Sequence, residues 1–189
     1  MVEEGGPEAL SMRKLAAELG VAPTAIYWHV GGRDELVDAL LDDLLHDLGD
    51  IKPKGRTPEA RVGSIAHAVR AQVKTHPHLV GLAMENGRLA DMYFPAQVAL
   101  AREVTAAGLK GKAAASAVRS VLYLVGGQVS LEATMAEYEA DAARLVERWH
   151  SVDDADVDPG LLTEMQRPAD PDAVFEHALS TLLESLWRK

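Results

Sequence analysis

Two short helix-forming segments meet at Gly20, and their junction constrains the fold more than any other feature of the sequence. Ser11 suits a helix N-cap, the segment from Met12 to Leu19 predicts a short helix, and Gly20 is placed to end it. Pro23 then suits the first position of a second short helix. The apolar positions suit two helices packed at a steep angle across a glycine turn, which predicts a helix-turn-helix. These positions are Leu15, Ala16, Leu19, Val21, Ile26 and Val30.

The composition favours helices along the whole chain. Of 189 residues, 30 are alanine and only 5% are aromatic, so the helix propensity is high and the strand propensity is low. Cysteine is absent, which excludes disulfides and thiolate zinc sites. No apolar stretch is long enough to span a bilayer, and the N-terminus lacks the pattern of a signal peptide. We therefore predict an all-α, cytoplasmic protein with no membrane segment.

Glycine and proline divide the chain into two predicted domains. Residues 1–48 hold the helix-turn-helix, residues 57–189 form a helical ligand-binding and dimerisation domain, and a Gly/Pro/Lys linker at 49–56 lies between them. Because Pro95 has no N–H to donate, we expect the helix around it to begin near Tyr93. The predicted helices, in chain order, are 12–19, 23–29, 33–48, 57–76, 77–85, 91–107, 111–139, 139–152, 161–166 and 170–188.

The second short helix presents polar and aromatic side chains on its outer face. By helical spacing these are Thr24, Tyr27, Trp28 and His29. Such side chains are costly to expose unless they bind something, and they can contact phosphates, thymine methyls and base edges. Residues 11–33 carry three basic side chains against one acidic, whereas the whole chain has a net charge of −10. We infer a small DNA-binding face on an acidic body; the alternative is a plain helical hairpin with a structural aromatic pair.

The stretch from Leu10 to Leu36 closely resembles the DNA-binding head of the tetracycline-repressor (TetR) family. It contains Leu-Gly-Val at 19–21, Ile-Tyr-Trp-His-Val at 26–30 and Arg-Asp-Glu-Leu at 33–36. The resemblance is specific over residues 8–48 and rests on helix lengths and order over 57–189. It implies an all-helical homodimer that binds palindromic operator DNA, usually represses transcription, and leaves DNA when a small-molecule inducer enters the C-terminal domain.

By position, the resemblance assigns seven residues to DNA contact. They are Arg13 and Lys14 on the first helix, Thr24, Tyr27, Trp28 and His29 on the recognition helix, and Arg33 at the start of the next helix. Arg13 is expected to contact a guanine through both arms of its guanidinium, and Arg33 to contact a phosphate. Pro23 and Met12 depart from the polar residues of the family, which puts one base contact in question and removes one phosphate contact.

The N-terminus departs furthest from the family pattern. A full helix precedes the motif in the family, whereas only Met1 to Glu4 stand before the glycine pair here, so we expect the sequence to be incomplete at this end. Residues 1–50 carry eleven acidic side chains against three basic ones. That is a poor electrostatic balance for a DNA-binding head.

The helices from residue 112 and from residue 172 carry more apolar surface than one chain can cover. We expect each to pair with its counterpart in a second chain, forming a four-helix bundle around a two-fold axis. The residues predicted at this dimer interface are Val118, Leu122, Phe175, Leu179, Leu182 and Leu186.

The C-terminal domain is expected to hold a small ligand. In the tetracycline-responsive branch, a histidine on the sixth helix binds drug-borne magnesium; the matching place here falls near Leu82 and Ala83, so we predict no magnesium–tetracycline response. Methionine and aromatic side chains with few polar anchors suit an uncharged, largely apolar or aromatic ligand, although any one of them can be core filling. The predicted pocket residues are Met84, Met92, Tyr93, Gln97, Tyr123, Gln128, Met135 and Trp149.

No pattern for catalysis or metal binding stands out. His67, His76 and His78 lack the spacing of a metal site, and no Ser-His-Asp order, phosphate loop or His-Glu-x-x-His motif occurs. We expect no enzyme activity, no cofactor and no metal. The predicted function is a homodimeric DNA-binding regulator, a repressor released by a small ligand. The alternative is an all-helical dimeric small-molecule binding protein that does not bind DNA.

Overall fold

The structure, a computed structural model, describes residue 6, residues 9–48 and residues 51–187. Within these ranges the regular elements are α-helices and no strand occurs, so the all-α prediction is confirmed. No helix of this part of the chain is long and apolar enough to cross a membrane. Its helices are α1 (Met12–Leu19), α2 (Pro23–Val30), α3 (Arg33–Leu48), α4 (Pro58–Thr75), α5 (Pro77–Glu85), α6 (Leu89–Ala106), α7 (Gly111–Glu137), α8 (Glu139–Trp149), α9 (Pro159–Met165) and α10 (Pro171–Trp187).

Capping side chains and prolines set several helix starts. Thr57 caps α4 by accepting a hydrogen bond from a backbone N–H of its first turn. Asp158 caps α9 in the same way, accepting from Leu161 N at 2.8 Å. With Pro159 in the first helical position, α9 begins two residues earlier than the sequence pattern predicts.

Pro95 lies inside α6 and does not mark its start, so the prediction of a start near Tyr93 is wrong. The missing N–H of the proline affects only the carbonyl of Asp91, in the first turn of the helix. Met92 is buried, and its packing holds this first turn against the core. Burial therefore extends the helix back to Leu89.

By compactness the chain divides after Val118, inside α7. In the first unit, α3 packs on α5 and α6, and α4 packs on α6. The helix-turn-helix therefore shares a compact unit with the helices that follow it. The predicted domains 1–48 and 57–189 stay a prediction, and the packing of α3 explains why compactness does not follow that boundary.

An apolar cluster joins α3 to α5 and α6 in the first unit. Its buried members are Leu10, Val37, Leu41, Leu82, Ala83 and Met92, and half-buried Leu36, Leu40, Leu45, Leu79 and Val80 pack against them. Val37 and Leu41 are one helical turn apart, so the inward stripe of α3 supplies both. Nearby, Arg61 of α4 donates from Nε to Glu103 of α6, an ion pair that favours one register between those helices.

In the second unit, the buried side chains lie on α7 and α10. They are Val121, Val125, Val129, Phe175 and Leu179. Gln128 donates from Nε2 to the carbonyl of Pro171 at 2.9 Å, which ties α7 to the start of α10. The helix α8 ends at Trp149, three residues before the predicted end.

Two leucine truncations test how far the first unit depends on the cluster. Leu41 is fully buried and Leu19 is 61% exposed. We expect Leu41→Ala to lower the free energy of unfolding by about 2–5 kcal/mol because it leaves a cavity, and Leu19→Ala to change it by about 0.5 kcal/mol or less. Urea unfolding of both variants at one protein concentration measures this. Equal losses would contradict the central place of the cluster.

Candidate nucleic-acid interface and ligand cleft

A left-handed glycine closes the turn between α1 and α2. Gly20 has a φ of 66°. Its N–H donates to the carbonyl of Ala17 at 3.2 Å, and the N–H of Val21 donates to that of Ala16 at 2.9 Å. This is a Schellman motif, and since a side chain is strained at such a φ, the glycine fixes the angle at which α2 leaves α1. The hydroxyl of Ser11, predicted to cap α1, makes no capping hydrogen bond.

A small apolar core holds the two helices together. Met12, Ala16 and Ile26 are buried, and Leu15, Val30 and Leu36 pack against them. The prediction that Ala16 lies at the helix contact is therefore confirmed. Met12, which departs from the polar residue expected from the family resemblance, is used in this core. Because Ile26 and Val30 point inward, the opposite face of α2 points to solvent.

The outer face of α2 carries the predicted recognition residues. Trp28 is 90% exposed and Tyr27 is 54% exposed. Thr24 and His29 are exposed on the same short helix. Large aromatic side chains left in solvent in this way are typical of a binding surface.

Two glycines connect α2 to α3, and Glu35 packs against both. The N–H of Gly32 donates to Glu35 Oε2 at 2.8 Å, which caps the start of α3. Gly31 has a φ of 92°, and a Cβ there would lie 3.1 Å from Glu35 Cγ. A side chain at Gly31 would be strained and would crowd the cap. Sequence reasoning missed this cap, although an acidic residue three positions after a helix start is its usual signal.

The positive charge of the head is exposed. Arg13 and Lys14 lie on α1, and Arg33 is the first residue of α3. Among the residues that the structure describes, none of the three takes part in an ion pair. Within that part of the chain, no carboxylate neutralises their charge.

A cleft opens in the first unit beside α4, α5 and α6. Its enclosed volume is about 20 Å³, room for about one water molecule, and the rest of the cleft is open to solvent. Its lining residues are Ile51, Val69, Gln72, Val73, His76, Val80, Met92, Tyr93 and Ala96. Burial raises the pKa of Tyr93, so its hydroxyl is protonated at neutral pH and can donate a hydrogen bond. The cleft thus combines an apolar wall with a few polar groups.

The eight predicted ligand residues are spread over the chain. Met92 and Tyr93 line the cleft. Met84, Gln97, Tyr123 and Met135 are exposed. Gln128 donates a hydrogen bond to the carbonyl of Pro171, and Trp149 is half-buried. The full set stays a prediction. Sequence reasoning missed the α4 side of the cleft, although Val69, Gln72, Val73 and His76 follow helical spacing along one face.

Three of the predicted dimer residues lie inside the fold of one chain. Phe175 is 0%, Leu179 2% and Val118 7% exposed. A second chain would gain little apolar area from side chains that are already buried, and a place for these three at a dimer interface stays a prediction. Leu122, Leu182 and Leu186 are half-buried and stay predicted interface residues.

The three histidines considered as metal ligands are separated. His76 lines the cleft and His67 is exposed. His78 lies beside Gly6, where a Cβ would be 3.5 Å from its Nδ1. In the described ranges, no three His, Cys, Asp or Glu groups come together to hold a metal ion.

Sequence reasoning also missed the ion pairs of Arg88. Its Nη1 lies 3.0 Å from Asp38 Oδ1, its Nη2 2.7 Å from Asp42 Oδ1, and its Nε 2.6 Å from Asp91 Oδ2. These carboxylates raise the pKa of Arg88, with Asp42 the largest cause. The sequence shows the two aspartates of α3 one helical turn apart. It does not show that they pair with Arg88, which lies 46 to 50 residues further along the chain.

The sequence is similar to bacterial regulators over the head and along the chain. Residues 1–40 match the family described as bacterial regulatory proteins, tetR family. The chain is 27% identical to the tetracycline repressor protein class A from transposon 1721 of Escherichia coli, over 100% of this chain and 86% of that protein. A stretch of 78 residues is 37% identical to an HTH-type transcriptional regulator of Mycobacterium tuberculosis, covering 38% of this chain and 33% of the relative.

Solved structures share the fold. The Streptomyces coelicolor TetR family protein ActR, in complex with actinorhodin, superposes with a TM-score of 0.69 at 24% identity, over 98% of this chain and 90% of that one. TetR from Acinetobacter baumannii AYE has a TM-score of 0.64 at 22% identity, over 97% and 89%. The chain is therefore similar to regulators of the TetR family, by the sequence match over residues 1–40 and by the similarity to a tetracycline repressor, and it shares the fold of the solved structures.

Proposed function

We propose that this protein is a DNA-binding transcriptional regulator, a repressor that leaves its operator when a small, largely apolar or aromatic ligand binds. The observation that carries the proposal is the outer face of α2, where Tyr27 and Trp28 stand in solvent. Exposed Arg13 and Arg33 on the neighbouring helices supply positive charge. Because the DNA of bacteria lies in the cytoplasm, the protein acts there. Its relatives named above are regulators, in line with a protein that is not an enzyme.

The exposed side chains divide naturally into positioning and reading roles. Tyr27 and Arg33 are suited to phosphates, which fix α2 in the major groove without reading sequence. Arg13 is suited to a guanine, whose O6 and N7 match its two-armed guanidinium. Lys14, Thr24, Trp28 and His29 complete the contact surface.

A ligand bound in the cleft would contact residues that also pack against α3, the helix that follows the recognition helix. Met92 and Val80 line the cleft and also contact the cluster that holds Val37 and Leu41 of α3. A ligand that displaces Met92 would shift α3 and with it α2, and so favour one of two head positions. ActR, which shares the fold, has been solved with actinorhodin bound, in line with small-molecule control.

The absence of a tetracycline response is part of the proposal. Leu82 and Ala83, at the place where a magnesium-binding histidine would be expected, are fully buried between α3, α5 and α6. Neither side chain can bind a metal. The cleft offers Gln72, His76 and Tyr93 as its polar groups instead.

We also propose a homodimer formed through α7 and α10. Tyr123 and Leu131 on α7 are largely exposed, and Leu182 and Leu186 on α10 are only half-buried. A second copy of the chain would cover such surfaces in a four-helix bundle. The two α2 helices would then lie about 34–36 Å apart, one turn of DNA, as a palindromic operator requires.

DNA binding is tested with three alanine variants and a duplex obtained by in vitro selection. We expect Arg33→Ala and Tyr27→Ala to weaken binding to all sequences, and Arg33→Ala to lower the salt slope by about one. Arg13→Ala should cost about 1–3 kcal/mol and relax specificity at one base pair. Fluorescence anisotropy over a salt series measures these effects.

The matched control for DNA binding is Arg102→Ala, which removes an exposed arginine from α6. It should bind DNA like the wild type. Unchanged affinity in all three head variants would contradict the assigned contacts. Absence of any selected duplex for the wild type would favour a dimeric ligand-binding protein that does not bind DNA.

Ligand binding is tested by thermal shift with hydrophobic aromatic compounds, and with tetracycline plus magnesium. We expect stabilisation by members of the first group and none by the second, since the lining of the cleft is mainly apolar and Leu82 and Ala83 cannot bind magnesium. Tyr93→Phe removes the hydroxyl of this half-buried side chain and should weaken the binding of a compound that needs a hydrogen bond there by about 0.5–1.5 kcal/mol. Tyr138→Phe, on an exposed tyrosine outside the predicted pocket, is the control. Tight magnesium-dependent binding of tetracycline would refute the proposed ligand class.

The dimer is tested by placing a charge on α10. Leu182→Glu should yield a folded monomer because it would bury a carboxylate at the contact between chains. Ser180→Glu adds the same charge at an exposed position of the same helix and should remain dimeric. Sedimentation velocity gives the mass, and circular dichroism checks the helix content. A Leu182→Glu protein that is helical and dimeric would show that the interface lies elsewhere.

A further inference from the structure

Arg88 forms ion pairs with two residues of α3 that lie one helical turn apart. It occupies the N-cap position of α6, and Asp91 of the same helix accepts from its Nε at 2.6 Å, which orients the guanidinium. The two terminal nitrogens then donate to Asp38 at 3.0 Å and Asp42 at 2.7 Å, both on α3. All three guanidinium nitrogens therefore form ion pairs, Nε with a residue of α6 and the two terminal nitrogens with residues of α3.

The backbone of Arg88 is fixed by the end of α5. Its N–H donates to the carbonyl of Ala83 at 2.8 Å, and Gly87 before it is left-handed with a φ of 69°. Ala83 and Met92, on either side of Arg88 in the sequence, both belong to the apolar cluster against α3. A movement at the end of α5 or the start of α6 therefore moves the guanidinium.

The ion pairs add a property that the apolar cluster lacks. Apolar contacts are non-directional, and a helix can slide on them by a small distance at little cost. A planar guanidinium bonded to carboxylates of successive turns accepts only one axial position of α3. Without Arg88, the carboxylates of Asp38 and Asp42 would face that of Asp91 with no cation between them, and their repulsion would move α3 away from α6.

The energy of these pairs is modest, and their effect is on position. Asp38 and Asp42 are 61% and 67% exposed, and ion pairs of this exposure add little to stability. The helix they hold, however, follows the recognition helix after only Gly31 and Gly32. A small displacement of α3 is thus passed directly to α2.

We propose that Arg88 is a positioning residue for DNA binding, which holds α3 and the recognition helix in the position that fits the operator. This inference rests on the proposed function. The positioning role requires both the positive charge of Arg88 and the planar guanidinium, which can bond several carboxylates at once. It also makes operator affinity depend on a contact that lies outside the DNA-binding face.

Four variants test the positioning role: Arg88→Gln, Arg88→Lys, Asp42→Asn and the double variant Arg88→Gln/Asp42→Asn. We expect Arg88→Gln and Asp42→Asn each to weaken binding to the selected duplex about threefold to tenfold. The double variant should lose no more than Arg88→Gln alone, because both changes break one contact. Arg88→Lys should recover only part of the loss, since an ammonium lacks the fork.

The control variants change other charged residues on the same two helices, α3 and α6. Arg102→Gln on α6 and Asp43→Asn on α3 are exposed and should bind the duplex like the wild type, within experimental error. Hydrogen exchange of the α3 amides gives a readout that does not need DNA. It should be faster in Arg88→Gln than in Arg102→Gln, while the melting temperatures of the two stay close.

The outcomes separate the inference from the proposed function. A wild type that selects no duplex refutes the proposed function. A wild type that binds DNA, with Arg88→Gln equal to it or tighter, refutes the positioning role alone. Additive losses, a fully active Arg88→Lys, or unchanged exchange in α3 would each refute it as well.

Discussion

The burial of one stripe of α3 against α5 and α6 is the contact on which the rest of the structure depends. Within the residues that the structure describes, the core of the head is small, with Met12, Ala16 and Ile26 buried between α1, α2 and the start of α3. A segment of this size cannot bury enough apolar surface to be stable alone. Val37 and Leu41 supply the missing burial by packing on residues of α5 and α6. The DNA-binding motif is therefore folded by the helices that follow it.

The packing that stabilises the head lies next to the cleft that we propose as the ligand site. Met92 contacts α3 on one side and lines the cleft on the other. In the proposed function, a ligand in the cleft would compete with the packing that holds the head in place. No separate signalling element would then be needed, because the contact that the ligand changes would be the contact that folds the motif.

Local sequence patterns predicted the elements well and the contacts between distant elements poorly. The glycine turn, the short helices and the outward side of α2 follow from Gly20, Pro23 and the helical spacing of apolar residues. The start of α6 was missed because burial of Met92 outweighs the proline within the helix. Arg88 could not be paired with Asp38 from sequence, since tertiary packing alone brings them together. Phe175 was predicted at a dimer interface and is buried within its own chain, because an apolar stripe does not reveal whether its own chain or a second one covers it.

The distribution of charge sets how the protein meets DNA. The basic side chains of the head, Arg13, Lys14 and Arg33, lie around one short helix, while the chain as a whole carries −10. In the proposed DNA-binding role, the phosphate backbone would repel the acidic body in most orientations of approach and attract the molecule where α2 and the neighbouring basic side chains face the duplex. The acidic body would therefore select the orientation of the encounter before any base is contacted.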